Sequence, residues 1–228
     1  MASTGPVHPL PRSPVAGVVA ALDPARALGA WHARGRVAVA IPDLTRPLDV
    51  RPALAALQAR IDGQMDVVVG LGLHRRMTQA ELAPLSPWSP TQHDPDACIP
   101  TDLVDGIPGA VCRPVAEADV VVSVGIAELH QYAGVSGGHK GVAVGCGGRE
   151  TIAALHHRER VLAAGVHIGQ VAGNPFRAAV DALGRAARCT LALVHAPAAG
   201  VWLAGEPGAV IQVAKRDGQK FKLPEATL

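Results

Sequence analysis

The sequence predicts an α/β protein: a mainly parallel sheet with helices on both faces, a Rossmann-like three-layer arrangement in a single domain. Two short apolar runs, residues 37–41 (VAVAI) and 67–69 (VVV), read as strands buried on both faces rather than as alternating, half-exposed ones. Helix-type segments fall between such runs, which is the connection that a parallel pair requires. Hydrophobic residues make up 49% of the 228 residues and charged residues 18%, enough apolar material for a substantial core. Aromatic residues contribute only 3%, so that core must be built from Val, Ala, Leu and Ile.

In chain order, residues 1–20 are rich in proline and lack the charged-then-apolar pattern of a secretion signal, so a flexible arm is expected ahead of a globular domain over 21–215. Asp23 and Pro24 suit the cap and first residue of a helix running to about Gly35. The strand at 37–41 then leads into Pro42-Asp43-Leu44-Thr45-Arg46-Pro47. A helix is expected at 52–61, and the strand at 67–69 runs into Gly70-Leu71-Gly72-Leu73-His74. Residues 77–82 read as helical with Thr78 as a cap, and 84–114, rich in Pro and Asp, as irregular. A third buried strand is expected at 119–124, helices at 150–164 and from Asn174-Pro175 to about 187, and strands at 190–195, 201–204 and 210–213. Residues 216–228 turn polar and read as a tail.

Several function classes are excluded at this level. A formal net charge of +2 without a Lys/Arg run gives no electrostatic footprint for nucleic acid. No apolar run approaches the roughly 20 residues needed to cross a bilayer. Cys98, Cys112, Cys146 and Cys189 form no CxxC pair, so reduced thiols and a cytoplasmic setting are expected.

Ligands of open α/β sheets collect at the carboxyl ends of strands. The first strand delivers Asp43, Thr45 and Arg46 there, the second His74 and Arg75, the third His130. After His130 comes a glycine-rich loop, Gly134-Val135-Ser136-Gly137-Gly138-His139-Lys140, with more glycines than one turn needs. Taken singly, Asp43 and Thr45 equally fit a turn cap, Arg46 and Lys140 solvated charges, and His74 and His130 hydrogen-bonded loop residues. His93, His139, His167 and His195 are read as structural. On a helix starting near Glu150, His156 lies about 40° from Ile152 and His157 about 140°, so His156 points inward and His157 outward.

Together these segments resemble the N-terminal domain of the lactate racemase family, the nickel-pincer nucleotide enzymes. The resemblance rests on Asp43-Leu44-Thr45-Arg46-Pro47, Gly72-Leu73-His74-Arg75-Arg76-Met77-Thr78, Glu128-Leu129-His130, and Ala133 through Lys140. It continues at Gly145, Glu150-Thr151, His156 and Gly173-Asn174-Pro175, and spans roughly residues 35–215. It implies a nickel-pincer nucleotide tethered through Lys140, with His156 completing the coordination of nickel. It also implies that His74 and His130 are the catalytic acid/base pair of a racemase or epimerase, which moves the C2 hydride of a 2-hydroxy acid to the cofactor and back. Asp43, Thr45 and Arg46 fall where the family contacts cofactor and substrate; Ser136, Gly137 and Gly138 are assigned to the cofactor. Arg46 and Arg75 suit the carboxylate of the anionic substrate.

The sequence departs from the family at Leu73, Arg76 and Val144, none of which is a proposed ligand or base, and in length. Family members carry a second, C-terminal domain and hold the active site between the two. The expectation is therefore a catalytic subunit that completes its site with a separate chain or as a homo-oligomer. A non-enzymatic carrier of the nickel nucleotide, and a different metal- or phosphate-dependent enzyme on the same scaffold, are the alternatives.

Overall fold

A computed structural model describes residues 17–217; the ends of the arm and tail, 1–16 and 218–228, lie outside the described residues. The main sheet has seven strands: β1 (Val19–Ala21), β2 (Ala33–Pro42), β3 (Ile61–Gly70), β4 (Thr91–Gln92), β7 (Val120–Ile126), β10 (Cys189–Ala196) and β11 (Val201–Gly205). Their order across the sheet is β1-β11-β10-β7-β2-β3-β4. The pairs from β10 through β4 are parallel, and β11 and β1 add an antiparallel edge. Two small ribbons stand apart: β5 (Cys98–Pro100) with β6 (Ala110–Cys112), and β8 (Leu129–His130) with β9 (Gly134–Val135).

Alternation along β2 sorts the two faces. Val37, Val39 and Ile41 pack with Ala53, Leu54 and Leu57 of α2 (Arg51–Gln58) in one cluster. Ala38 and Ala40 face the other way, against Val115 of α4 (Arg113–Glu117), Val142 of α5 (Lys140–Ala143) and Cys146. Small alanines on that second face let α5 approach the sheet closely. Farther along, Ala192 and Val194 of β10 meet Val210, Ile211 and Val213 of α9 (Pro207–Asp217). Helices thus cover both faces. The expected doubly covered parallel sheet is the one observed.

Four local expectations change. The first helix, α1 (Pro24–Leu28), is capped by Asp23 as expected but stops at Gly29, whose φ of 53° ends it. Residues 33–35, read as the end of that helix, instead begin β2. Val19–Ala21, inside the expected arm, is an edge strand on β11. Residues 210–213, read as a strand, lie inside α9: Val210, Ile211, Val213 and Ala214 are all buried, the i, i+1, i+3, i+4 spacing of a helical face. The helix expected at 150–164 is broken into α6 (Arg149–Leu155) and α7 (Arg158–Val161), with His156 and His157 at the break. Elsewhere, α3 (Gln79–Leu82) carries the expected Thr78 cap as a full capping box with Glu81, and α8 (Pro175–Ala186) starts at Asn174 as expected.

Candidate active site

A cavity of about 450 Å³ opens at the carboxyl ends of β2, β3 and β7. Here the connections leaving two adjacent strands diverge, β2 to α2 on one face of the sheet and β7 to α5 on the other. Asp43, Thr45 and Arg46 line it from the β2 end, His74 from the β3 end, and His130, Ser136, Gly137 and Lys140 from the β7 side. His156 closes it at the C-cap of α6.

Asp43 is 9% exposed and holds two groups at once. Its Oδ1 accepts from the backbone N–H of Thr45 at 3.1 Å and from Thr45 Oγ1 at 2.5 Å, while Oδ2 lies 2.8 Å from His74 Nδ1. Burial pushes the carboxyl upward, but the bonds from Thr45 and His74 outweigh it and hold Asp43 below its ordinary value. A carboxylate only accepts, so Nδ1 of His74 is the donor, and the neutral ring carries its lone pair on Nε2. That is an acid/base histidine oriented by a buried carboxylate.

His130 is set differently. Its Nδ1 accepts from the backbone N–H groups of Tyr132 at 3.2 Å and Ala133 at 3.1 Å, inside its own β8–β9 hairpin. Burial, then the charges of Lys140 and Arg46, push its pKa down to about 3. The ring is neutral at physiological pH.

Lys140 opens α5 at the end of the glycine loop. Gly137 and Gly138 have φ of 85° and 61°, and a Cβ on Gly138 would lie 2.8 Å from Ile211 Cγ1 and 2.9 Å from the Pro207 carbonyl. Only glycine serves there. Ser123 Oγ donates to the Gly138 carbonyl at 2.8 Å and so pins the loop to β7. Ser136 Oγ donates to the Ile126 carbonyl at 2.7 Å and accepts from Glu128 N at 3.0 Å, so its hydroxyl serves as a clamp on the β7 end. Among the described residues the Lys140 side-chain amine has neither hydrogen bond nor ion pair. Burial, followed by the charges of Arg46 and Arg177, lowers its pKa to about 8. About a tenth of its amine is then unprotonated at pH 7, far more than for an ordinary lysine.

At His156, Nδ1 lies 2.8 Å from the Ile152 carbonyl, so it donates and leaves the Nε2 lone pair free. Edge contacts with Tyr132 (5.8 Å) and Phe176 (5.3 Å) fix the ring plane. A ring nitrogen that donates to a backbone carbonyl in this way is what orients a metal-binding imidazole. His157 is exposed, as its helical phase predicts.

Arg46 lines the cavity, with Nη1 3.1 Å from Glu128 Oε2. Arg75 is not brought into the cavity. Its guanidinium forks onto Glu81 at 2.7 and 2.8 Å on the outer surface, so this structure places no substrate contact there. Gly138 likewise packs behind the wall rather than lining it. Sequence reasoning missed Glu128, the partner of Arg46, and Tyr132, which stands between His130 and His156. It also missed a buried network behind the loop: His139 Nδ1 is 3.0 Å from Asp181 Oδ1, and Arg177 reaches Asp181 Oδ2 at 3.1 Å and the Val135 carbonyl at 3.2 Å. Adjacency of His139 to Lys140 was the only signal for it.

The sequence model of the lactate racemase N-terminal domain matches residues 17–166. The chain belongs to the lactate racemase N-terminal domain family. Two solved structures share its fold. The lactate racemase apoprotein from Thermoanaerobacterium thermosaccharolyticum superposes with a TM-score of 0.72 at 21% identity, over 81% of this chain and 48% of that one. A protein from Thermotoga maritima gives 0.60 at 20% identity, over 85% and 56%. The chain therefore spans about half the length of these relatives. No curated protein matches it.

The residues present fit the nickel-pincer nucleotide that this family implies. Lys140 offers an unpartnered, partly deprotonated amine, and His156 a single oriented imidazole lone pair. Among the described residues no three His, Cys, Asp or Glu side chains come together as a metal cage. A metal here needs most of its donors from a bound group, as the pincer nucleotide would provide.

Proposed function

We propose that the chain is the cofactor-bearing catalytic part of a racemase or epimerase acting on a 2-hydroxy acid. The observation that carries this is the meeting, in one cavity, of the unpartnered Lys140 amine, the free Nε2 of His156 and the Asp43-backed His74. Lys140 tethers the nucleotide and His156 is the nickel ligand. Once bound, the nickel-pincer nucleotide supplies reversible two-electron chemistry at substrate C2. His74 Nε2 takes the hydroxyl proton, its positive charge offset by Asp43, and His130 faces the substrate as the second catalytic histidine. Arg46 meets the carboxylate by exchanging its bond to Glu128 for one to the substrate. The substrate-side wall comes from a second domain or another chain, in keeping with the exposure of Leu73 (54%) and of the His74 side chain (55%) at the mouth.

A carrier module has no use for the His74–Asp43 pair. A hydrolase using His74 and His130 as metal ligands would find a free lone pair only on Nε2 of His74, because two backbone N–H groups occupy the Nδ1 lone pair of His130 and leave the proton of its neutral ring on Nε2. Expression with the cofactor-making proteins, followed by intact-mass measurement, tests the proposal. The expected result is a nucleotide-plus-nickel adduct mapping to Lys140, together with exchange of C2 stereochemistry in a 2-hydroxy acid. No adduct under conditions that load a relative would sink it. An adduct without turnover, even with a complementing C-terminal domain, would leave the carrier.

A further inference from the structure

Apart from its proposed part in tethering, Lys140 has the surroundings of an amine that condenses with carbonyl compounds. Its side chain is partly buried and reaches the cavity, and among the described residues its amine meets neither a hydrogen-bond acceptor nor a carboxylate. An ammonium without a counter-ion, under the charges of Arg46 and Arg177, gives up its proton readily and becomes a nucleophile. We propose that the cofactor-free chain binds a 2-oxo acid covalently, as an imine between Lys140 Nζ and C2, with Arg46 holding the carboxylate. This activity goes beyond the function proposed above and does not depend on it, since neither metal nor nucleotide takes part.

The cavity defines the class of ligand. Arg46 lines it and, among the described residues, bonds only Glu128, through Nη1 at 3.1 Å, so its other N–H donors remain for a carboxylate. Asp43 is the only acid in the lining, and Thr45 and His74 already occupy it. Val124, Ile126 and Ile152 add apolar wall, and about 450 Å³ is room for an acid of a few carbons. Condensation needs no oxidant or reductant. Nζ adds to C2 as the carbonyl π bond opens onto oxygen, giving a carbinolamine. Both hydrogens of the neutral amine then leave with that oxygen as water, and the C2=N bond forms. His74 Nε2, an acceptor in the same cavity, relays a proton from nitrogen to the departing hydroxyl. Because Lys140 is also the proposed tether, the imine and the nucleotide exclude one another, and a 2-oxo acid reversibly delays loading.

The test uses the full chain, purified without the cofactor-making proteins and incubated near neutral pH with pyruvate and cyanoborohydride, which reduces an imine to a stable 1-carboxyethyl amine. Peptide mass should place the label on Lys140 at least about tenfold faster than on Lys215, and saturably with pyruvate. That preference should shrink by about tenfold when acetone, a ketone without a carboxylate, replaces pyruvate. It should shrink likewise when lactate competes, and in Arg46→Gln shown to be folded by circular dichroism. Label spread evenly between Lys140 and Lys215 overturns the proposal. A preference for Lys140 that acetone shares, and that neither lactate nor Arg46→Gln lowers, overturns the assignment to a 2-oxo acid. The cofactor-loaded chain should resist labelling at Lys140. If the nucleotide never loads while pyruvate still labels Lys140 as stated, the proposed function has failed and the imine stands.

Discussion

His74 Nδ1 lies 2.8 Å from Asp43 Oδ2, a contact between residues 31 apart that joins the ends of two neighbouring parallel strands. Its geometry suits the base role proposed for His74, and that role is readily tested. Asp43→Asn keeps the shape but presents either an amide N–H or a neutral oxygen to Nδ1. Isomerisation should fall by about 10²–10⁴-fold with the Lys140 adduct intact by mass. Thr45→Val removes only one of the bonds on Asp43 and should cost about tenfold or less. The pH dependence has a definite sign. Because Asp43 is held below its ordinary value of 3.8, its stabilisation is fully present above that value and is lost as acid takes the pH through the lower, folded one. Equilibrium unfolding of native and Asp43→Asn chains should therefore differ most at neutral pH and converge in acid.

Lys140 has the opposite linkage. Its folded pKa of about 8 lies below the ordinary 10.5, so the charged amine destabilises the fold at neutral pH, and this cost is relieved as pH rises from about 8 to 10.5. Lys140→Met should raise stability at pH 7 by about 1–3 kcal/mol, with the gain shrinking as pH rises from about 8 to 10.5. Denaturant titration of both chains at pH 7 and pH 10.5 checks it. The same shift predicts that an amine-reactive acylating reagent at pH 7.5, in the absence of cofactor, labels Lys140 faster than Lys215, read by peptide mass.

At His156 the expected outcome separates tethering from metal binding. With Nε2 removed in His156→Ala, the nucleotide should still attach to Lys140 but retain much less nickel. Measured metal per mole of adduct should drop at least tenfold, as loss of a metal ligand or even of its supporting shell commonly costs. Undiminished nickel would mean that another residue holds it. Phe176→Leu, which removes one of the two aromatic edges on the ring, should lower retention more mildly.

Much of this was legible in the sequence because it depends on local chemistry. Buried parallel strands such as β2 and β3 need unbroken apolar runs, and the polar residues immediately after them can only sit at the carboxyl end of the sheet. Asp43, His74, His130 and Lys140 were found for that reason. The misreadings have physical causes too. A short, mostly apolar stretch such as 210–213 (VIQV) fits a strand or a buried helical turn equally, and only the packing of Val210 and Ile211 against β10 decides. Arg75 had the right residue type beside the right histidine, but Glu81, six positions on, captures it. The break at His156 was hidden because it depends on the side chain of His156 bonding the Ile152 carbonyl, which composition and periodicity do not register. The tautomers of His74 and His130 depend on partners that fold back to them, and no spacing rule contains those.

Gly184, inside α8, gives a prediction opposite to helix propensity. Replacing a mid-helix glycine by alanine ordinarily stabilises by about 1 kcal/mol. Here a Cβ would lie 2.4 Å from His139 Cβ and 2.5–2.6 Å from its ring carbons. The ring cannot retreat: His139 is 0% exposed, and Asp181 holds its Nδ1. Gly184→Ala should therefore destabilise the chain by about 1–3 kcal/mol, as overpacking does. His139→Gly removes the ring and the Cβ alike, so in the double variant the added alanine methyl should cost little or become favourable, a coupling that a double-mutant cycle reads directly. His139 immediately precedes Lys140, so the displacement should reach the site as well. Acylation of Lys140 in Gly184→Ala should lose its rate advantage over Lys215 while the chain is still folded by circular dichroism. Simple additivity of the two substitutions, with Lys140 labelling unchanged, would mean that the His139 ring is not what fixes the tethering lysine.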